Sequence, residues 1–109
     1  MKNNKNSYDV VIPENVLHDS SLTANAKLLY GEITALRDSR GYCWATNRYF
    51  AELFGVSVTS VSKWIKALRE GGYIESRIAQ KKDARTGEAR IERCVTILPG
   101  ENPDKKESK

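Results

Sequence analysis

The segment from Asn47 to Lys66 constrains the fold more than any other part of the chain, because two apolar patterns flank a single glycine, Gly55. A glycine adopts the positive φ that a tight turn between two helices requires. The spacing predicts helices over residues 47–54 and 58–70, packed as a helix-turn-helix. The residues predicted to point inward are Phe50, Ala51, Phe54, Val56, Val61 and Trp64.

A longer helix is predicted upstream, from about Ala24 to Asp38, with the Thr23 hydroxyl as its cap. Gly31 costs this helix about 1 kcal/mol relative to alanine but allows close packing. The apolar stripe at helical spacing is assigned to Leu28, Leu29, Ile33 and Leu36, with Ala26 at its edge and Tyr30 partly off it.

Strand patterns surround the two short helices. Residues 42–45 form a short apolar run, and residues 73–80 and 88–98 alternate with period two around an exposed connection at 81–87. The run at 42–45 is expected to pair with the hairpin as a third strand, since an isolated two-stranded ribbon is only marginally stable. The predicted fold class is mainly α with a small β-hairpin (α+β), a winged helix-turn-helix.

Length and composition set limits on this fold. The 109 residues suffice for one small domain, assigned to residues 8–98, and the polar ends at 1–7 and 99–109 are expected to be disordered. The net charge of +4 fits a polyanionic partner. The sequence lacks an 18-residue apolar run and the apolar core of a signal peptide, so we expect no membrane association and a cytoplasmic location.

Few residues suit catalysis or metal binding. Cys43 and Cys94 are expected to be half-buried thiols in a reducing compartment. His18 is the single histidine, no CxxC pair is present, and no serine or cysteine has a context that suggests activation. We therefore expect neither metal nor cofactor, and a binding module instead of an enzyme.

The outward face of helix 58–70 is small and polar at its start and basic further along, and no acid occurs between Glu52 and Glu70. This composition favours a helix that enters the DNA major groove, although a merely solvated face is the alternative. The predicted base-reading residues are Thr59, Ser62 and Lys63. The predicted phosphate contacts on the same helix are Ser57, Ser60 and Lys66.

Further DNA contacts are predicted outside this helix. Arg48 and Tyr49 could reach phosphates from the preceding helix, although a surface role suits Tyr49 equally. The hairpin tip is a predicted basic wing that reaches the adjacent groove or backbone through Lys81, Lys82, Arg85 and Arg90; a plain mixed-charge loop is the alternative.

Arg77 and Arg93 stay unassigned until the strand register is known. Trp64 is expected in the core and not on a base.

Several segments resemble the N-terminal winged helix-turn-helix domain of phage and plasmid replication initiators of Gram-positive bacteria, including phage replisome organisers. The segments that carry this resemblance are LTANAKLLYGEI at 22–33, GYCWATN at 41–47, FAELFGVS at 50–57, VSKWIKAL at 61–68 and GYI at 72–74.

The resemblance implies binding to repeats at a replication origin, frequent dimerisation, and a C-terminal domain that recruits replication proteins. The chain stops after a charged tail, so either such a domain is missing or the natural protein is small. A transcription regulator of the same fold, or a winged helix that docks a protein partner, is the alternative.

Overall fold

The computed structural model describes residues 9–98. The predicted disorder at 1–7 and 99–109, and Tyr8 at the domain boundary, lie outside the described residues. The elements in chain order are α1 (Glu14–Leu17), α2 (Ala24–Ala35), β1 (Tyr42–Cys43), α3 (Asn47–Phe54), α4 (Val58–Glu70), β2 (Ile74–Lys82) and β3 (Ala89–Ile97).

The strands form an antiparallel sheet in the order β1-β3-β2, which confirms that the short strand joins the hairpin. Cys43 pairs with Val95, and Ile74 pairs with Ile97 at the start of the hairpin. These residues line the face that packs on the helices, because directly opposed residues of antiparallel strands share a face. The four helices and three strands make the fold a winged helix in the α+β class.

The core lies where α2, α4 and the base of the sheet meet. Each of these elements contributes fully buried apolar side chains: Leu29 and Ile33 from α2, Val61 and Leu68 from α4, and Val95 from β3. A buried leucine or isoleucine contributes about 1.5–3 kcal/mol relative to an exposed one. This shared core fixes the position of α4 relative to the sheet.

The buried stripe of α2 differs from the predicted one. Leu28 is 45% exposed, whereas Tyr30 is 6% exposed and packs edge-on against Tyr73 with ring centroids 6.2 Å apart. The stripe is therefore Ala26, Leu29, Tyr30 and Ile33. The assignment of Leu28 to the core and of Tyr30 to its margin was wrong, because an aromatic partner from the β2 entry covers Tyr30.

Helix α2 also ends at Ala35, not at the predicted Asp38. The Asp38 carboxylate accepts hydrogen bonds from the backbone amides of Arg40 and Tyr42 and from the indole of Trp44. Aspartate side chains commonly bond to nearby backbone in this way and so compete with helix formation. Gly41 completes the turn with φ of +90°, a conformation that glycine adopts without strain.

Two glycine assignments are confirmed by their surroundings. A Cβ atom on Gly31 would collide with the side chain of Val10, so the N-terminal segment packs directly on the α2 backbone. Gly55 has φ of +69° and forms the left-handed C-cap of α3. The predicted cap at Thr23 is also confirmed, and the hydroxyls of Thr23, Thr46 and Ser57 each accept from a backbone amide three residues ahead.

The β-hairpin is longer than predicted on its first strand. Strand β2 runs to Lys82, so Lys81 and Lys82 are strand residues and do not lie in the connection. The turn is held by Asp83, whose amide donates to the Glu88 carbonyl and whose carboxylate accepts from the Arg85 amide. Strand β1 is shorter than predicted and contains only Tyr42 and Cys43.

Both cysteines are free and fully buried, not half-buried as predicted. The register places them on opposite faces of the sheet, since Cys43 pairs with Val95, the residue next to Cys94. Burial raises the pKa of both thiols. Loss of water around the sulfur disfavours the thiolate, and both side chains behave as small apolar groups.

A polar contact connects the α1–α2 loop to the entry of β2. The Tyr73 hydroxyl donates to a carboxylate oxygen of Asp19 at 2.6 Å, and Asp19 also accepts from the amide and hydroxyl of Ser21. Burial, together with the bond to Asp19, raises the pKa of Tyr73 to about 12. His18, the neighbour of Asp19, is exposed, and this carboxylate is committed to Ser21 and Tyr73.

Candidate nucleic-acid interface

The turn between α3 and α4 has the geometry that the sequence predicts. The amides of Gly55 and Val56 both bond to the carbonyl of Ala51, which closes the end of α3. Ala51 is itself buried in the core. Ser57 then starts α4, so a single left-handed residue redirects the chain between the helices.

Helix α4 has a buried underside and an exposed upper face. Val61, Ile65 and Leu68 are buried, and Trp64 is half-buried against Phe54 with ring centroids 5.4 Å apart. The predicted core role of Trp64 is therefore confirmed. The exposed residues of the opposite face are Val58, Thr59, Ser62, Lys63 and Lys66.

The two serines at the start of α4 bond to each other. The Ser57 hydroxyl accepts from the Ser60 amide at 3.1 Å and lies 3.2 Å from the Ser60 hydroxyl. Ser57 is exposed and Ser60 is half-buried. Ser57 thus satisfies a free amide of the first turn, and both hydroxyls lie beside the positive end of the helix dipole.

Ser62 is linked to the start of α3 and, through it, to the sheet. The Asn47 side-chain amide donates to the Ser62 hydroxyl at 3.2 Å, and the Asn47 oxygen accepts from the Arg93 guanidinium at 2.8 Å. Arg93 donates a second bond to the carbonyl of Ala45 at 2.7 Å. These bonds connect the exposed face of α4, through α3, to β3.

Arg93 is half-buried, and desolvation lowers the pKa of its guanidinium. Among residues 9–98 it makes no ion pair with a carboxylate, so neutral oxygens alone accept its hydrogen bonds. The sequence left Arg93 unassigned and missed Asn47 altogether. Knowledge of the strand register would have placed Arg93 on the helix-facing side of β3.

The lysines of α4 differ in their surroundings. Lys66 lies 3.9 Å from Glu70 in an exposed i,i+4 pair, whereas Lys63 has no ion pair within the described part of the chain. Exposed pairs of this kind contribute about 0.3–0.5 kcal/mol, which leaves Lys66 available to another anion. Lys63 therefore presents an uncompensated charge at the middle of the exposed face.

The predicted contacts on α3 are both exposed. Arg48 lies 3.5 Å from Glu52 in an i,i+4 pair and is more than four-fifths exposed. The ring of Tyr49 packs edge-on against Phe50, and the residue is 42% exposed. Both side chains project from the first helix of the helix-turn-helix.

The basic residues predicted at the hairpin tip do not form one cluster. Lys81 and Arg90 are paired across the strands and share one face of the ribbon, whereas Lys82 lies on the other face and Arg85 in the turn. Arg90 also lies 3.4 Å from Glu92. The positive charges of the tip are therefore distributed over both faces of the ribbon and the turn.

Lys81 belongs to a cluster of cations and aromatic rings beside the hairpin, which the sequence did not predict. Its ammonium lies 5.4 Å from the centre of the Trp44 ring, and the Arg40 guanidinium lies over the rings of Tyr42 and Trp44. The indole of Trp44 is oriented by its bond to Asp38. Cation–π contacts at exposed positions contribute about 0.5–1 kcal/mol, so this cluster helps to hold the ribbon in place.

Within residues 9–98 the acidic, histidine and cysteine side chains form no group of three or more that could hold a metal ion. In the same range, no helix has the length and apolar character needed to cross a membrane.

Comparison with known proteins identifies the family. Residues 20–74, half of the chain, match the sequence model of a helix-turn-helix domain family. The chain therefore belongs to this helix-turn-helix family, and the matched region runs from the loop before α2 to the first residue of β2. No curated protein and no solved structure matches the chain significantly. Family membership suggests DNA binding.

Proposed function

We propose that the protein binds double-stranded DNA in a sequence-specific manner, with α4 in the major groove. The observation that carries this proposal is the exposed face of α4, where Thr59, Ser62 and Lys63 stand without an acid before Glu70, on a helix whose underside is buried in the core. A helix held in this way presents its side chains to base edges as a rigid unit.

In this proposal, Lys63 and Thr59 read bases. A lysine ammonium donates to the guanine O6 and N7 atoms, and the threonine methyl contacts a thymine methyl. Ser62 keeps a hydroxyl proton to donate, because it accepts its bond from Asn47. Ser57, Ser60 and Lys66 lie at positions suited to phosphates, as do Arg48 and Tyr49 on α3.

We further propose that the protein is a binding module without enzymatic activity, acts in the cytoplasm, and works at a replication origin of a phage or plasmid. The resemblance to replication initiators supports the last point. On the same ground, we propose that replication proteins are recruited through a further domain. A homodimer on repeated sites is part of this proposal. Leu17 and Leu28, both exposed, are candidate contacts between the copies.

The test is selection of bound duplexes from a random DNA pool, followed by affinity measurements from 50 to 200 mM salt. We expect one enriched motif, repeated if the protein acts as a dimer, and an affinity that falls linearly on a log–log plot. A flat salt response, or no affinity at low salt, would favour a winged helix that docks proteins. Enrichment of promoter-like single sites would favour a transcription regulator.

A further inference from the structure

The hairpin has two chemically different faces beyond the core, and one of them carries two exposed isoleucines. Ile78 and Ile91 are each 67% exposed, more than any other large apolar side chain in the part of the chain that the structure describes. Ile78 is paired with Arg93, and Ile91 is paired with Gln80. All four side chains therefore share one face, which we call the α3-facing side of the wing.

This face is oriented toward the helix-turn-helix. Arg93, at its inner end, bonds to Asn47, and Asn47 bonds to Ser62 on the exposed side of α4. Ile78 lies directly opposite Arg93, and Ile91 lies in the next pair of the same face toward the hairpin tip. The apolar pair thus extends outward from the junction between α4 and the sheet.

The charges on the ribbon indicate the partner. From Ile78 to the end of β2, and on the opposed part of β3, the α3-facing side contains Gln80, Lys82, Ala89 and Arg93 beside the isoleucines, and none of these is acidic. Glu92 lies on the opposite face, beside Arg90. The charged side chains on this part of the face, Lys82 and Arg93, are both cations, and a cationic face without a carboxylate complements the phosphates that flank the sugar edges of a DNA groove.

We infer that the wing contacts DNA with its α3-facing side, where Ile78 and Ile91 lie against the sugar edges of the groove next to the one that α4 occupies, and Lys82 lies on a phosphate. This inference rests on the proposed DNA binding and deepens it. It replaces a wing that acts through its basic tip with one that acts through an apolar face. Apolar side chains are common where proteins enter the minor groove.

The contact has a distinctive salt signature. Apolar contacts release few counterions, whereas each lysine-phosphate contact adds about one unit to the slope of log affinity against log salt. Replacing both isoleucines should therefore lower the affinity and leave the slope unchanged. Replacing Lys82 should lower the affinity and reduce the slope by about one unit.

The experiment compares wild type with the double variant Ile78→Thr/Ile91→Thr and the single variant Lys82→Ala on the selected duplex. Threonine keeps the branched shape that strands favour, and thermal unfolding verifies that the fold is retained. We expect about a five- to tenfold loss of affinity for the double variant, with an unchanged salt slope. The control Arg77→Lys, on the opposite face of β2, keeps the charge and should retain both the wild-type affinity and the wild-type salt slope.

The outcomes separate this inference from the proposed function. If wild type has no salt-dependent affinity for DNA, DNA binding itself fails. If wild type binds and the double variant binds equally well, the inference about the wing is wrong while DNA binding stands. If light scattering shows a wild-type dimer that the double variant converts to monomers, the isoleucines contact a second copy, which also overturns the inference.

Discussion

The side-chain nitrogen of Asn47 lies 3.2 Å from the Ser62 hydroxyl oxygen, which joins the first residue of α3 to the exposed face of α4. The same asparagine accepts from Arg93 of β3. One residue thus couples all three elements of the proposed interface. We therefore expect a substitution of Asn47 to alter the arrangement of the interface, in addition to any effect on the stability of the fold.

Asn47→Ala is expected to weaken binding to the selected duplex about three- to tenfold, because the Ser62 hydroxyl is released and one hydrogen bond contributes about 0.5–1.5 kcal/mol. Affinity for a scrambled duplex should be unchanged, since phosphate contacts are retained. Fluorescence anisotropy with both duplexes measures the difference. Arg48→Ala, on the same helix, should weaken both duplexes alike. An equal loss on both duplexes for Asn47→Ala would contradict the positioning role.

Arg93→Lys is expected to lower the free energy of unfolding by about 1–3 kcal/mol. Lysine keeps the charge but cannot bond to Ala45 and Asn47 in the fixed geometry of a guanidinium, and a bond from a charged donor contributes about 1.5–3 kcal/mol. Urea unfolding measures the change. Arg90→Lys, exposed on the opposite face, is the control and should change the stability little. Equal midpoints for the two variants would show that the bonds of Arg93 contribute nothing.

Lys63→Ala is expected to weaken binding to the selected duplex by about 1–3 kcal/mol and to relax the preference at one base pair. The charge of Lys63 is exposed and is not compensated by an ion pair among the described residues. Lys66→Ala should instead weaken all duplexes alike. Repeating the selection with each variant distinguishes the two roles. A uniform loss for Lys63→Ala would assign it to a phosphate.

Gly55→Val is expected to destabilise the fold by about 1–3 kcal/mol, because a β-branched residue resists the φ of +69°. Apart from Gly55 and its two chain neighbours, no residue has an atom within 4 Å of the position that a Cβ would take, so the cost would come from the backbone and not from a collision. Gly55→Asn should cost less, since asparagine tolerates the left-handed region. A thermal midpoint that is lowest for Gly55→Val, higher for Gly55→Asn and highest for wild type would support the turn geometry. Equal midpoints would refute it.

For Tyr73→Phe, we expect the free energy of unfolding to vary less with pH in the alkaline range than it does in the wild type. The pKa of Tyr73 is about 12 in the folded protein, above its usual value of 10. Its hydrogen bond to Asp19 therefore contributes fully below about pH 10 and is lost as the pH rises through 12. In an absorbance titration at 295 nm, the tyrosine ionisation that occurs at the highest pH should be missing from this variant. An unchanged titration curve would show that another tyrosine has the high pKa.

Local patterns were enough to predict most of the fold. The caps at Thr46 and Ser57 and the left-handed residue at Gly55 are determined by a few neighbouring atoms, so the bounds of α3 and α4 were predicted correctly. Leu28 and Tyr30 were misassigned because both lie near the edge of the apolar stripe. Tyr73, which lies more than forty positions further along the chain, packs on Tyr30 and buries it, whereas Leu28 is left exposed.

The candidate site depended more on tertiary structure. Exposure of the α4 face follows from helical periodicity and was confirmed. The separation of Lys81 from Lys82, and the role of Arg93, follow from a strand register that periodicity alone does not fix. Asn47 could not be recognised, because its partners come from elements 15 and 46 residues away.

The most direct test of the central proposal is an amide NMR titration of the protein with its selected duplex. We expect the largest shift changes on residues 57–66, with Thr59 and Lys63 among them, and on the wing around Ile78 and Ile91. Saturable changes confined to α1 and α2, with α4 unaffected, would contradict it.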